Sequence, residues 1–225
     1  MPLPQTTHCT YADYLAWDTE QKYELFDGTP VMQARPSIQH QNIEGALLQQ
    51  LRNFLDGKPC RAFAEIEVLL PERAHQNADD VSTVYVPDLA VICDPEKLHE
   101  QYCFGAPTVV MEILSPSTAK ADRLVKLNRY QQAGVPEYWI ISPQEQNATV
   151  FVLENGLYRT VAVYTKEDAA AKVFTLTGCE LDLTKGHRIS GIDYSRKENY
   201  EKEKHCRTYG CRHDVFFCYS VCQCS

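Results

Sequence analysis

Three side chains in this sequence have the types and spacing for phosphodiester chemistry: Asp88, Glu112 and Lys126. Asp88 sits in Val-Pro-Asp-Leu-Ala-Val-Ile-Cys (86–93), and Glu112 in Pro-Thr-Val-Val-Met-Glu-Ile-Leu-Ser (107–115). Both runs are apolar and β-rich, and each carries one acid. An acid inside an apolar strand needs an explanation, because a buried carboxylate without a partner is costly. One shared divalent cation would answer for both acids. Two carboxylates suit Mg²⁺, which takes few protein ligands and keeps several waters. Such a metal polarises a phosphodiester and lowers the pKa of an attacking water. Lys126 would then stabilise the charge developing at the phosphorus centre.

The elements that must position these groups can be read in order. Thr10 caps a short helix from residue 11, and 22–26 reads as a strand. Asp27-Gly28 is a strong hairpin signal, and Pro30 makes the return an edge strand. Ser37 opens a helix carrying Ile43, Leu47, Leu48, Leu51 and Leu55 at close to a 3.6 period, ended by Gly57. The stretch 62–70 reads as one strand with Glu65 and Glu67 on one face, and 71–82 as an exposed loop of low order. The acid-bearing strands follow, separated by 94–106. A helix from about Thr118, capped by Ser117 or Thr118, runs to Ala133 and stops at Gly134. A buried strand at 137–142, a hairpin through Glu154-Asn155-Gly156, and a last strand or two within 173–183 complete the body. This order predicts an α/β (α+β) fold with a mixed central sheet flanked by helices. No glycine-rich nucleotide-binding motif is present.

In the helix, Asp122, Lys126 and Tyr130 fall on one face. Lys120, Arg123, Lys126 and Arg129 add a cation every third residue, a strip wide enough for a phosphate backbone. Spacing alone leaves plainer readings open: a strand start at Pro-Asp, a helical ion pair at Asp122 and Lys126, and a solvated cationic face. Glu112 is hardest to treat this way, because apolar residues surround it. Among other candidates, His40 fits a hydrogen-bonding or capping role at a helix start as well as a catalytic one. Glu44 can approach the metal but reads better as a solvated helix residue. Glu67 either reaches the site from a neighbouring strand or faces water. Cys93 and Cys103 read as core or incidental thiols, and Tyr138 and Trp139 as core.

Composition sets the outer bounds. At 225 residues with 44% hydrophobic and 23% charged residues, the chain holds one domain, taken as 1–190, with a separate tail at 191–225. No apolar run approaches the roughly 18 residues of a membrane span, and the opening residues lack signal-peptide character. A cytoplasmic protein is expected, and its five scattered body cysteines read as reduced. The net charge of −8 argues against a dedicated nucleic-acid binder, though not against a nuclease with a local basic strip and a metal. In the tail, a zinc reading would use Cys206, Cys211, His213, Cys218, Cys222 or Cys224, but the spacings fit no common zinc module. The tail reads as an unrelated appendage.

Taken together, Val-Pro-Asp-Leu-Ala-Val (86–91), Val-Met-Glu-Ile-Leu-Ser-Pro-Ser-Thr (110–118), Asp122, Lys126, Tyr130 and Gly-Val-Pro-Glu-Tyr-Trp-Ile-Ile (134–141) resemble one bacterial family. It is the Uma-type branch of the PD-(D/E)XK nucleases, known mostly as restriction endonucleases. Tyr-Glu-Leu-Phe-Asp-Gly (23–28) and the helix led by His40 match its N-terminal part, and the resemblance covers about 10–185. It implies a restriction-endonuclease-like fold, a DNA substrate, Mg²⁺ or Mn²⁺ held by Asp88 and Glu112, and a homodimer. Leu114 stands where the superfamily pattern has its lysine, so the resemblance implies that the basic role moved to Lys126. A non-catalytic binding or scaffold protein that retains the nuclease fold is the competing expectation.

Overall fold

The computed structural model describes residues 8–115 and 121–187. The expected cap at Ser117 or Thr118, the cation Lys120 and the tail from 191 lie outside them.

The chain opens with α1 (Tyr11–Leu15), whose Thr10 backbone N–H donates to the Asp13 carboxylate. β1 (Tyr23–Phe26) and β2 (Thr29–Met32) follow as a hairpin, then α2 (Ile38–Leu55), β3 (Arg61–Ala64), β4 (Glu67–Leu69), β5 (Val84–Tyr85) and β6 (Leu89–Ile92). Next come β7 (Tyr102–Phe104) and β8 (Val109–Ile113), then a π-helical turn, Ala121–Lys126, leading into α3 (Leu127–Ala133). β9 (Glu137–Ser142), β10 (Asn147–Glu154), β11 (Leu157–Thr165), β12 (Ala171–Lys172), β13 (Glu180–Leu181) and α4 (Thr184–His187) complete the body.

Local chemistry explains most of these boundaries. Asp27 and Gly28 both adopt positive φ, the geometry of a two-residue hairpin turn, and Asn155-Gly156 does the same between β10 and β11. Pro30 lies in β2, which is the outer strand of its sheet as expected. The Ser37 hydroxyl accepts the His40 backbone N–H at 3.1 Å and starts α2. Gly134, at φ 83°, ends α3.

There are two larger sheets. A six-stranded sheet runs β11-β10-β9-β8-β6-β3, antiparallel except between β8 and β9. A five-stranded sheet runs β2-β1-β5-β4-β7, antiparallel except between β4 and β7. On the larger sheet, Val109, Met111 and Ile113 pack with Ile43, Leu47 and Leu51 of α2. Val110, between them, faces the opposite way and packs with Tyr130 of α3 and Tyr138. The mixed sheets flanked by helices are the architecture that the sequence predicts.

The stretch 62–70 departs from expectation. It is two strands in two sheets, broken at Glu65, whose φ is 50°. Its partner, 84–92, is broken at Pro87-Asp88, because proline offers no backbone donor to a ladder. Yet Ala64 pairs with Leu89 and Val68 with Tyr85, which is one uninterrupted register. The two segments therefore form a single bent ribbon shared by both sheets, with Asp88 at the bend. Glu65 and Glu67 consequently part company. Glu65 pairs with Lys22 at 2.6 Å, whereas Glu67 accepts from Tyr11 and Tyr14. Glu67, half-buried, thus turns to the two tyrosines of α1.

Two further readings, of 71–82 and of Cys93, need correction. The segment 71–82 contains a 3₁₀ turn, Ala78–Asp80, and is fastened by bonds from Gln76 to Asp80 and from Ser82 to Glu72. The helix before Gly134 is present, π-helical over its first described turn, and 173–183 holds one strand, β13, within the expected one or two. Cys93 is not a free thiol. It is bonded to Cys60 directly across the ends of β6 and β3. Cys103 and Cys179 are buried and take no part in this bond, and Cys9 is buried. Tyr138 and Trp139 are core residues, as read.

Candidate active site

The site lies at the ribbon's bend, where the acid-bearing strands meet the starts of α2 and α3. β6 pairs with β8 through Leu89 and Met111, so the next residues, Asp88 and Glu112, stand opposite each other in the same register. Each acid has its own basic neighbour. Asp88 faces His40 Nε2 at 3.1 Å through Oδ1 and accepts the Ile113 backbone N–H at 2.5 Å through Oδ2. Glu112 Oε1 accepts from Lys126 Nζ at 3.0 Å and from the Tyr130 hydroxyl at 3.1 Å.

Lys126 and Tyr130 thus share one helix face and converge on a single carboxylate oxygen. The Lys126 side chain is buried, with 4% of its surface exposed, as is that of Glu112. The π-helical turn delivers it there, and such turns recur at functional positions. The cation strip, however, is not one surface. Arg123 is exposed and pairs with Glu145 at 2.8 Å. Arg129 turns inward to the Leu70 carbonyl at 2.7 Å. The Asp122 side chain lies outside the described ones.

His40 plays the hydrogen-bonding part foreseen for it. Burial opposes its charge, but the bond and charge of Asp88, with Glu44 and the Ile113 backbone, outweigh burial and hold its pKa above the ordinary value. Glu44 is not solvated as the sequence suggested. It is mostly buried, 3.8 Å from His40 Nδ1. Burial, then the charges of Asp88 and Glu65, raise its pKa. His40 Nδ1 is itself buried with no hydrogen-bond partner.

The sequence matches the family described as "Putative restriction endonuclease" (Uma2) over residues 11–184. The chain belongs to the Uma2 family. An uncharacterized protein of Synechocystis, slr1290, is 30% identical over 121 residues, which cover 52% of this chain and 60% of that relative. The fold is similar to a crystal structure from Anabaena variabilis described as a "putative nuclease belonging to DUF820". The TM-score is 0.62 and the identity 19%, over 79% of this chain and 97% of that one.

One residue of this Uma2 site escaped the sequence reading. Glu24, on β1, is buried, and its Oε1 lies 2.8 Å from Lys126 Nζ while accepting the Val86 backbone N–H, also at 2.8 Å. Its signal was the one that picked out Asp88 and Glu112, a lone acid in the apolar run Tyr-Glu-Leu-Phe. Tyr85 adds a ring face 5.6 Å from the same ammonium.

Two oxygen-donor carboxylates, one residue beyond the Leu89–Met111 pair on neighbouring strands, are the number and type that Mg²⁺ draws from a protein. Among the described residues, no group of three or more His, Cys, Asp or Glu stands close enough to hold a metal. No described helix is long and apolar enough to cross a membrane.

Proposed function

We propose that this protein is a metal-dependent endonuclease that hydrolyses DNA phosphodiester bonds, with Asp88 and Glu112 as ligands of Mg²⁺ or Mn²⁺ and Lys126 as the catalytic cation. Membership of a restriction-endonuclease family supports the reaction class. The observation that carries the residue assignment is the convergence of Lys126 on Glu112, with Glu112 opposite Asp88.

When bound, the metal would supply Lewis-acid polarisation of the phosphate and a more acidic attacking water. The protein's own groups do the rest. His40 and the Ile113 N–H fix the Asp88 carboxylate. Tyr130 and Lys126 fix that of Glu112. The Lys126 ammonium, held in a mostly dry site, faces the charge that gathers on the phosphoryl oxygens as the bond breaks, where low dielectric strengthens its pull. The proposal extends to a cytoplasmic homodimer.

One observation favours a second reading, a binding or scaffold protein retaining the fold: the absence of a three-ligand cluster among the described residues. Cleavage of plasmid and single-stranded DNA with Mg²⁺ or Mn²⁺ decides between them. The proposal expects metal-dependent cutting that is lost in Glu112→Gln and in Lys126→Ala, with both variants folded by circular dichroism. No cutting of either substrate, together with no Mn²⁺ binding by calorimetry, would establish the scaffold reading.

A further inference from the structure

We infer that Glu24 is the standing counter-charge of Lys126, a positioning residue that retains the ammonium in the site so that Glu112 can serve a divalent cation. The inference rests on the metal reading given above.

Lys126 Nζ lies between two buried carboxylate oxygens, 2.8 Å from Glu24 and 3.0 Å from Glu112. A buried ammonium that loses its counter-charge is strongly unfavourable. If Glu112 had to neutralise Lys126 and ligate a metal together, two cations would crowd one carboxylate and one would be expelled. Glu24 resolves this competition, because it belongs to a different sheet from Glu112 and is tied to the Val86 backbone. It keeps its position whatever Glu112 does. The two acids therefore have separate duties, although both contact the lysine in this arrangement.

The alternative is that Glu24 itself ligates the metal. Calorimetric titration with Mn²⁺ separates the two in a double-mutant cycle. Glu24→Gln retains an oxygen for the Val86 N–H but loses the charge. Lys126 then presses harder on Glu112, and Mn²⁺ affinity falls about tenfold, within the usual coupling of residues in one ion-pair network. In a Lys126→Met background the competitor is gone, and Glu24→Gln then changes affinity less than about twofold. An equal loss in both backgrounds makes Glu24 a ligand and overturns the inference while leaving the metal site intact. Failure of the wild-type protein to bind Mn²⁺ overturns the metal reading, and this inference with it.

If Lys126→Met does not fold, ¹⁵N NMR of lysine-labelled protein titrated with Mg²⁺ takes its place. The Lys126 ammonium signal should stay protected from exchange in the wild type and broaden in Glu24→Gln. Loss of protection in the wild type at saturating Mg²⁺ would show that Glu24 does not hold the lysine, and would overturn the inference.

Discussion

Glu137→Ala should be among the most damaging single substitutions in the molecule, although the residue is remote from any proposed chemistry. Glu137 is fully buried on β9, and its two oxygens accept from Trp139 Nε1, the Phe174 and Thr175 backbone N–H groups and the Thr175 hydroxyl, at 2.7–3.1 Å. The carboxylate thus pins the turn after β12 against the larger sheet. Alanine leaves three N–H donors with fixed directions facing nothing, while the hydroxyl can rotate. At roughly 1–3 kcal/mol for each unsatisfied buried donor, partial relaxation leaves a loss of about 4 kcal/mol. That is a large share of the roughly 5–15 kcal/mol that holds a domain folded. With a urea m-value of about 2 kcal/mol per molar, the unfolding midpoint should fall by about 2 M. Glu137→Gln keeps one acceptor oxygen but turns an amide against two of the donors, so it should lie between wild type and alanine, near a loss of about 2 kcal/mol. Equilibrium urea unfolding followed by Trp fluorescence measures all three proteins. A loss below about 1 kcal/mol for alanine would refute the reasoning, since it would mean the donors find water or other partners at no cost.

Other outcomes follow from the same geometry. In metal-free protein, the His40 ring should titrate above its ordinary 6.5 by NMR, and Asp88→Asn should lower it, because burial still opposes the charge once the bond and charge of Asp88 are gone. The sign for stability follows: the charged His40 contributes fully below about pH 6.5, and that contribution is lost as pH rises through the raised folded value. Gly28→Ala should cost about 1–3 kcal/mol in the same urea assay, since its φ of 81° strains alanine and the new Cβ would meet the His8 ring at 2.3 Å. Non-reducing peptide mapping should recover Cys60 linked to Cys93. Reduction should cost at most about 4 kcal/mol, the chain-entropy value for a sequence separation of 33 residues.

How far the sequence reveals this molecule depends on whether the deciding force is local. Asp27-Gly28, Ser37, Gly134 and Asn155-Gly156 impose their turns and caps through backbone preferences of their own, and each acts where the sequence places it. Period-two and period-3.6 patterns likewise mark the faces of β8 and α2. The bent ribbon was not legible, because 62–70 reads as one continuous strand-like run and nothing local announces that Glu65 takes a positive φ. At the site, Lys126 stood out through its helical spacing with Asp122 and Tyr130, and Asp88 and Glu112 as acids in apolar runs. Glu24 carried the same mark, but its partner lies 102 residues further along the chain, and no pattern in one sequence pairs such distant positions. Glu44 looked solvated because a helix face is polar by default, until a second element covers it. The Cys60–Cys93 pairing required knowing that β3 and β6 are neighbours.

The division of the lysine's counter-charges between two sheets bears on how relatives of this chain are recognised. A shortened product beginning after residue 33 would keep Asp88, Glu112, Lys126 and Tyr130, with the family-like segments 86–91, 110–118 and 134–141 around them. It would also keep α2 with His40 and Glu44. Yet the β1–β2 hairpin would be gone, and with it Glu24, so the ammonium would have Glu112 but not the carboxylate tied to Val86. Such a gene product would look intact at its acids and its lysine and be unbalanced in its charges. Presence of the hairpin acid, rather than of the motif alone, is therefore the feature to check before a shortened homologue is taken as a working copy.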